Sequence, residues 1–243
     1  MSHDSGHSRH KGDVVVKVVG TSTREAAALR LLAGPQTVPV LHDDEDTLII
    51  PALHPGDELA SVPSDRERTD VFVDVLGALP SVAEPSGMPS FADVLAAVFQ
   101  RVDARSLGQD FHEQVDEANS CLRSLQAKYD SVVLHGDLHH HNILRSKDSW
   151  CVIDPHGYFG PRVLEVGAFL KNPIGFLATD DWREVLAARI EQLSGAMEIS
   201  ECDICTAAFV YGVVSAGWSL EDDGDVDPEF FAYLNFLAER ISP

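Results

Sequence analysis

The sequence VVLHGDLHHHNILRSKDSWCVID, residues 132–154, carries the strongest structural signal in this chain of 243 residues. Its apolar ends, residues 132–134 and 150–153, predict two short strands, and residues 142–144 predict a third strand between them. The polar segment HGDLHHH separates the first strand from the second. Short strands joined in this way are expected to place the polar side chains of their ends close together.

Three oxygen-bearing side chains, Asp137, Asn142 and Asp154, lie at these strand ends. Two carboxylates and one amide oxygen suit a hard cation such as Mg²⁺, which completes its shell with water and phosphate oxygens. The Asp-x4-Asn spacing is also that of the catalytic loop of kinases, in which the aspartate accepts the hydroxyl proton and the asparagine holds metal. The spacing therefore predicts a magnesium-dependent site for phosphoryl transfer.

The motif HGDLHHHN, which begins at His135, is followed after a strand by Ile153-Asp154. This combination resembles the signature of the aminoglycoside phosphotransferase family, which comprises small-molecule relatives of protein kinases. Two segments, IDPHG from Ile153 and WSLED from Trp218, resemble the streptomycin 6-kinases and the aminoglycoside-hydroxyurea resistance kinases within that family. The resemblance extends over about residues 14–240.

The resemblance implies a protein-kinase-like, two-lobed α+β fold. Residues 14–54 are expected to form a small N-lobe of strands plus one helix, and residues 55–243 a mainly helical C-lobe that includes the catalytic loop. Residues 1–13 are polar and rich in His, Ser and Gly, and we expect them to be disordered.

A lysine in a β-branched run precedes a helix with a glutamate in its first turn. Residues 13–19 predict the strand, which contains Lys17, and residues 23–32 predict the helix, which contains Glu25. An ordinary strand lysine and a glutamate favoured by the helix dipole are the alternative interpretations. The resemblance implies that Lys17 binds the phosphates of ATP and that Glu25 forms the ion pair that orients this lysine.

Only 16 residues precede Lys17, and they contain no G-x-G-x-x-G sequence. The resemblance implies two strands and a phosphate-covering loop ahead of the lysine strand. We therefore expect a truncated N-lobe without the glycine-rich hairpin. The alternative function is a pseudokinase-like protein that binds nucleotide or another ligand without turnover, because the phosphate-covering loop is missing.

The resemblance also implies the chemistry of the site, with ATP and Mg²⁺ as cofactors. Asp137 is expected to orient a substrate hydroxyl and accept its proton, while Asn142 and Asp154 hold Mg²⁺. The expected substrate is a small molecule, a cationic aminoglycoside of the streptomycin type. Residues expected to support the loop are His135, His139 and Glu165. Residues expected to face the substrate are His156, Glu221 and Asp222.

Three adjacent histidines, residues 139–141, raise the alternative of a zinc site. Adjacent residues of a strand or turn cannot all point at one metal, and no carboxylate or cysteine lies at a matching spacing. A metal-dependent hydrolase built on these histidines therefore lacks its ligands.

The charge balance restricts the partners of the chain. There are 39 acidic and 18 basic residues, and the formal net charge is −21. A nucleic-acid partner is not expected, because binding to phosphates requires a basic surface. An acidic protein attracts a polycationic ligand. Solubility is the alternative explanation of the charge.

Cysteine usage and apolar runs indicate the compartment. Cys202 and Cys205 form one C-x2-C pair without a second pair at zinc-site spacing, and nothing indicates a disulfide framework. The first 13 residues contain no apolar segment typical of a secretory signal, and no membrane span is expected. We therefore expect a cytoplasmic protein.

Helices are predicted over residues 64–79, 91–104, 108–129, 181–195, 203–220 and 230–240.

Overall fold

The computed structural model describes six segments of the chain, residues 7–18, 23–44, 46–83, 87–103, 109–222 and 226–241. They form a smaller part built on an antiparallel sheet and a larger part built mainly of helices, which is the predicted α+β arrangement. Two further small sheets contain the strands of the 132–154 segment.

The smaller part is a four-stranded sheet with one helix packed on it. Its strands, in the spatial order β1-β2-β4-β3, are β1 (His7–Lys11), β2 (Val14–Val18), β3 (His42–Asp43) and β4 (Thr47–Pro51). Helix α1 (Thr23–Leu31) buries Ala26 and Leu29 against Leu48 and Ile50 of the sheet. Burial of these apolar side chains holds the helix on the sheet.

The expected disorder of residues 1–13 is wrong for residues 7–11, which form β1 and pair with β2. Residues 1–6 lie outside the described residues. A polar sequence can form an edge strand because backbone hydrogen bonds to the neighbouring strand hold it. The lysine strand β2 is therefore preceded by one antiparallel strand, and the turn between them, at Gly12 and Asp13, contains a single glycine.

Residues 38–41, whose apolar character predicts a strand, are not part of the sheet. The short strand β3 comes after them, at His42–Asp43. Val38 instead donates a backbone hydrogen bond to the carbonyl of Val152, 3.1 Å away, in the larger part of the protein. The apolar side chain of Val38 is buried, so its burial was predictable, but its backbone partner depends on the tertiary structure.

The strands of the larger part form two small sheets that carry residues 135–142, the loop predicted to be catalytic and called the catalytic loop below. One sheet pairs β6 (Ser131–Leu134) with β9 (Tyr158–Pro161), and the other joins β5 (Pro55–Glu58), β7 (Ile143–Ser146) and β8 (Ser149–Val152). The three predicted strands of the 132–154 segment are confirmed to within two residues. Strand β5 was not predicted. It pairs with β7 and so joins the chain after residue 54 to the sheet that contains β7 and β8.

Seven helices are described in the larger part. They are α2 (Asp65–Ala78), α3 (Phe91–Asp103), α4 (Gln109–Lys128), α5 (Val166–Leu170), α6 (Trp182–Met197), α7 (Glu201–Asp222) and α8 (Pro228–Ile241). Ser64 caps α2 by accepting a hydrogen bond of 3.3 Å from the backbone N–H of Glu67. All the predicted helices form, and the short helix α5 was missed because five residues are too few to show helical periodicity.

Helix α7 is the centre of the larger part. It packs against α3, α4, α5, α6 and α8, and its residues from Ile204 to Ala216 are buried on every side. By length and composition alone it could cross a membrane, but 83% of the apolar window lies inside the folded protein. A helix that is apolar all round is typical of the core of a protein of this size.

Candidate active site

The catalytic loop begins with a sharp turn at Gly136, directly after β6. Gly136 has a φ of 78°, and a Cβ atom added there would lie 2.5 Å from Cδ2 of the Tyr158 ring. Only glycine adopts this left-handed conformation without strain, and only glycine leaves room for the ring. The turn positions Asp137 at the end of the strand.

The side chain of Glu165 holds the backbone of this turn through two hydrogen bonds. Its carboxylate accepts hydrogen bonds from the N–H groups of His135, at 2.5 Å, and Gly136, at 3.0 Å. The side chain is buried, and burial raises the pKa of Glu165 to about 7, against the lowering effect of the two N–H groups. Glu165 thus contacts the two residues that precede Asp137, and its supporting role stays a prediction.

His135 joins the start of the catalytic loop to the segment that ends in Asp154. Its Nε2–H donates to the carbonyl of Ile153 at 2.8 Å, while its Nδ1 accepts from the N–H of Asp137 at 3.3 Å. Burial lowers the pKa of His135 to about 4, so the ring is neutral near pH 7. Both ring nitrogens are thus engaged, and the ring links the N–H of Asp137 to the carbonyl of Ile153.

The Asp137 carboxylate is surrounded by donors. Oδ1 accepts a hydrogen bond of 2.9 Å from the Tyr211 hydroxyl, and Oδ2 accepts one of 3.1 Å from Nδ2 of Asn142. Nε2 of His139 lies 3.3 Å from Oδ2, and Nε2 of His156 lies 3.7 Å from it. Burial would raise the pKa of Asp137, but the hydrogen bond from His139 and the nearby imidazoles hold it well below its usual range. The carboxylate is therefore a weak base that stays ionised.

The three adjacent histidines point to three different partners. His139 faces the carboxylate just described, and His140 is buried with its ring stacked on Phe169, at a centroid distance of 4.4 Å. His141 Nδ1 lies 2.6 Å from Oε2 of Glu58 on β5. This divergence is incompatible with one shared metal ion, and within the described segments no group of three His, Cys, Asp or Glu side chains is arranged to hold one.

Lys17 contacts two carboxylates, one from the smaller part of the protein and one from the larger part. Its Nζ lies 2.7 Å from Oε1 of Glu25 on α1, and it also contacts Oδ1 of Asp154. The lysine side chain is 12% exposed; burial lowers its pKa, but Asp154 and Glu25 outweigh that effect and raise it. Lys17 and Asp154 lie 137 residues apart in the sequence, and the structure brings both of them together with Glu25.

Asn142 and Asp154 fit a magnesium ion by their chemistry and placement. The two flank the same end of the β7–β8 hairpin, where Ile153 N–H donates to the carbonyl of Asn142 at 3.0 Å. The amide nitrogen of Asn142 is bonded to Asp137, which leaves its amide oxygen as the possible metal ligand. The side chain of Asp154 is 43% exposed, and its φ of 58° is uncommon outside glycine and is typical of functional sites.

Of the three residues predicted to face the substrate, the structure describes the side chain of His156 alone. His156 lies beside Asp137, and its ring is edge-on to Trp218 at a centroid distance of 5.8 Å. Glu221 and Asp222 are the last residues of α7, and their side chains lie outside the described part of the structure. In the described part of the structure, this side of Asp137 is therefore next to an aromatic pair, His156 and Trp218.

Sequence reasoning missed two residues next to Asp137, namely Tyr211 and Lys171. Tyr211 lies on α7, and its ring packs against the backbone of Gly167, where an added Cβ would lie 2.2 Å from the Tyr211 Cβ. Burial and the neighbouring Asp137 raise the pKa of Tyr211 well above its usual value, so it stays a donor. A single phenol in a helix that is otherwise apolar was the available signal. Lys171 follows α5. The segment LKNP, residues 170–173, continues the family resemblance, but the resemblance assigns the lysine no role.

Known structures share this architecture. The choline kinase LicA from Streptococcus pneumoniae superposes with a TM-score of 0.63 at 14% identity, covering 96% of this chain and 88% of that one. An aminoglycoside phosphotransferase, APH(3'')-Id from Streptomyces rimosus, solved with ADP and streptomycin, superposes with a TM-score of 0.56 at 15% identity, covering 84% and 87%. At such identities the similarity establishes the kinase-like fold.

Sequence similarity is stronger but more local. The streptomycin 3''-kinase of Klebsiella pneumoniae is 42% identical over 64 residues, which are 26% of this chain and 24% of that enzyme. The match thus spans about a quarter of this curated relative. The sequence profile of the aminoglycoside/hydroxyurea antibiotic resistance kinases matches residues 11–224, which is most of the chain. With this match and the kinase-like fold, the chain belongs to the aminoglycoside/hydroxyurea antibiotic resistance kinase family.

Proposed function

We propose that the protein transfers the γ-phosphoryl group of ATP to a hydroxyl group of a small molecule. The observation that carries this proposal is the convergence of Asp137 and Asn142 with the Lys17–Glu25–Asp154 cluster. Asp137 and Asn142 lie in the catalytic loop, whereas Lys17, Glu25 and Asp154 come from β2, α1 and the end of β8. Together they match the parts that phosphoryl transfer requires. Family membership supports the same reaction class.

The chemistry follows from the state of Asp137. In transfer, the bond between the γ-phosphorus and the bridging oxygen of ADP breaks, a bond to the substrate oxygen forms, and the hydroxyl proton passes to Asp137. Because the pKa of Asp137 is held low, it is a weak base that orients the hydroxyl and accepts the proton late. Late proton transfer suits the loose transition state of phosphoryl transfer.

Lys17 is the proposed phosphate-binding lysine. Its ammonium group contacts Asp154, and Glu25 holds it at 2.7 Å. Asn142 and Asp154 would hold Mg²⁺, which neutralises phosphate charge when bound. We expect the lysine to contact the α- and β-phosphates while its ion pair with Glu25 is kept.

The proposed acceptor is a cationic aminoglycoside of the streptomycin type. Support comes from the local identity to a streptomycin kinase, from the family match and from the net charge of −21, which attracts a polycation. The aromatic wall formed by His156 and Trp218 beside Asp137 is suited to a cation, because aromatic faces attract positive charge. We propose that the protein acts in the cytoplasm.

The test is an acceptor panel with the full chain. ATP and Mg²⁺ are incubated with streptomycin, hydroxyurea or choline, and ADP formation and the mass of the acceptor are measured. We expect ADP formation that depends on streptomycin, with a mass gain of one phosphoryl group. Phosphorylation of choline alone would keep the reaction class and refute the acceptor. Nucleotide binding without turnover would favour the pseudokinase-like alternative, and absence of binding would refute the proposal.

Tyr211→Phe is expected to lower kcat about 10-fold, because loss of the 2.9 Å hydrogen bond to Oδ1 loosens the orientation of Asp137. The loss of a bond to a charged group should also lower the free energy of unfolding by about 2 kcal/mol. Steady-state kinetics and urea denaturation measure both effects.

The matched control is Tyr233→Phe, on the neighbouring helix α8. The Tyr233 hydroxyl is buried and has no hydrogen-bond partner in the described structure. Its removal should leave kcat unchanged and should not lower the free energy of unfolding. Equal kinetics for the two variants would show that the Tyr211 hydroxyl does not position Asp137.

A further inference from the structure

Lys171 is a half-buried lysine, directly after α5, to which the mechanism above assigns no task. Within the described segments its ammonium group has no hydrogen-bond or ion-pair partner. Burial lowers the pKa of Lys171, and Asp137 is the charged group that raises it. The effect is mutual, since Lys171 also lowers the pKa of Asp137. The ammonium therefore lies in the field of the proposed catalytic base.

The segment that contains Lys171 is packed along the whole catalytic loop. Glu165, before α5, binds the backbone at the start of the loop. Phe169 of α5 stacks on His140 in the middle of it, with the rings 8° from parallel. Beyond the lysine, the N–H of Ile174 donates to Nε2 of His141 at 3.4 Å. Three contacts thus tie residues 165–174 to the loop that presents Asp137.

The backbone on both sides of Lys171 is held by a buried ion pair. Nη1 of Arg189 donates to the carbonyls of Asn172, at 2.6 Å, and Leu170, at 3.5 Å. Nη2 of Arg189 lies 2.6 Å from Oδ1 of Asp65, so its own charge is compensated. Arg189 is 1% exposed. Arg189, whose charge is paired with Asp65, thus anchors the backbone around Lys171. The charge of Lys171 itself has no partner within the described segments.

A half-buried ammonium without a partner loses part of its hydration and gains no protein contact in return. Folding alone therefore gives no reason for a lysine here. An anionic ligand in the cleft would supply the missing partner. The anion that must come next to Asp137 in the proposed reaction is the γ-phosphoryl group, because its phosphorus is attacked by the hydroxyl that Asp137 orients.

Building on the proposed function, we infer that Lys171 binds the transferred phosphoryl group of ATP beside Asp137 and neutralises the charge on its oxygens. Lys171 keeps its proton throughout. The γ-phosphorus leaves ADP for the substrate oxygen, and the hydroxyl proton goes to Asp137. Lys17 serves the α- and β-phosphates from the opposite side, so the two lysines divide the triphosphate between them.

The test compares Lys171→Met, Lys171→Arg and Lys128→Met in the full chain. Lys128 lies at the end of α4, exposed and paired with Asp203, so its replacement changes the net charge equally but far from the cleft. Dissociation constants for ATP and for ADP are measured by calorimetry with Mg²⁺, and kcat is measured with the best acceptor of the panel. Thermal melting reports whether each variant is folded.

We expect Lys171→Met to lower kcat about 100-fold, the effect of removing one preorganised charge-stabilising group. ATP affinity should fall about 10-fold relative to ADP affinity, because ADP lacks the γ-phosphate. The melting temperature should be unchanged or higher, since a half-buried charge without a partner is removed. Lys171→Arg should keep most of the preference for ATP, and Lys128→Met should match the wild type.

The outcomes separate the two proposals. A wild type that binds neither nucleotide overturns the proposed function, and the role of Lys171 with it. A wild type that turns over while Lys171→Met keeps both its kcat and its ratio of ATP to ADP affinity overturns the role of Lys171 alone. Equal losses of ATP and ADP affinity would also overturn it, because they would place the lysine away from the γ-phosphate.

Discussion

Asp137→Asn is expected to lower kcat about 1,000-fold, the loss typical of removing a general base. Asparagine keeps the size of the side chain and an oxygen that can accept the 2.9 Å hydrogen bond from Tyr211. It loses the negative charge and the ability to accept the hydroxyl proton. Steady-state kinetics with the acceptor identified in the panel measure the effect.

Nucleotide binding should survive this replacement. Asp137 carries a buried negative charge close to the expected position of the γ-phosphate, so its neutralisation should leave ATP affinity unchanged or improve it. Calorimetric titration with ATP and Mg²⁺ measures this separately from turnover. Asp148→Asn, at an exposed position in the turn between β7 and β8, is the control for the change in net charge. If Asp137→Asn kept wild-type kcat, Asp137 would have no role as base.

Gly167→Ala is expected to have the largest effect on stability, lowering the free energy of unfolding by about 3 kcal/mol or more. The added Cβ would lie 2.2 Å from Cβ and 2.5 Å from Cγ of Tyr211. A Cβ atom moves only with its backbone, so no change of rotamer relieves the contact and α5 must separate from α7. Urea denaturation measures the loss.

The matched control is Gly195→Ala on helix α6, where an added Cβ meets nothing within 4 Å. Alanine in an unobstructed helical position should raise the free energy of unfolding by about 0.5–1 kcal/mol. Opposite signs for the two glycines would locate the effect in the α5–α7 contact. If Gly167→Ala were as stable as the wild type, the close packing of α5 on Tyr211 would be wrong. Any folded Gly167→Ala protein should also lose activity, because Tyr211 holds Asp137.

The parts of the site that the sequence revealed are those in which chemistry and spacing are local. Asp137, Asn142 and Asp154 lie within one stretch of 23 residues whose short strands leave few ways to arrange them. Lys17 and Glu25 stand eight residues apart on a strand and the following helix, and they form the expected pair. The catalytic roles of these residues and the division of the chain at residues 54 and 55 stay predictions.

Other expectations depended on composition, and composition proved a weaker guide. Polar residues 7–11 looked disordered, yet they form an edge strand because pairing with β2 uses the backbone. Three consecutive histidines raised the alternative of a zinc site, against which their adjacent spacing argued, and in the structure each ring has a different partner. The pairing that forms β1 and the partners of His140 and His141 thus depend on the fold rather than on composition.

Sequence alone thus specified the chemical groups of the site and the strands that carry them, because a hairpin converts short spacing directly into proximity. Tertiary structure decided what surrounds Asp137. Tyr211, 74 residues away, reaches it because α7 is buried through the middle of the larger part, and Lys171 comes near it because α5 packs on the catalytic loop. Such contacts depend on how helices pack, and no spacing along the chain encodes that packing.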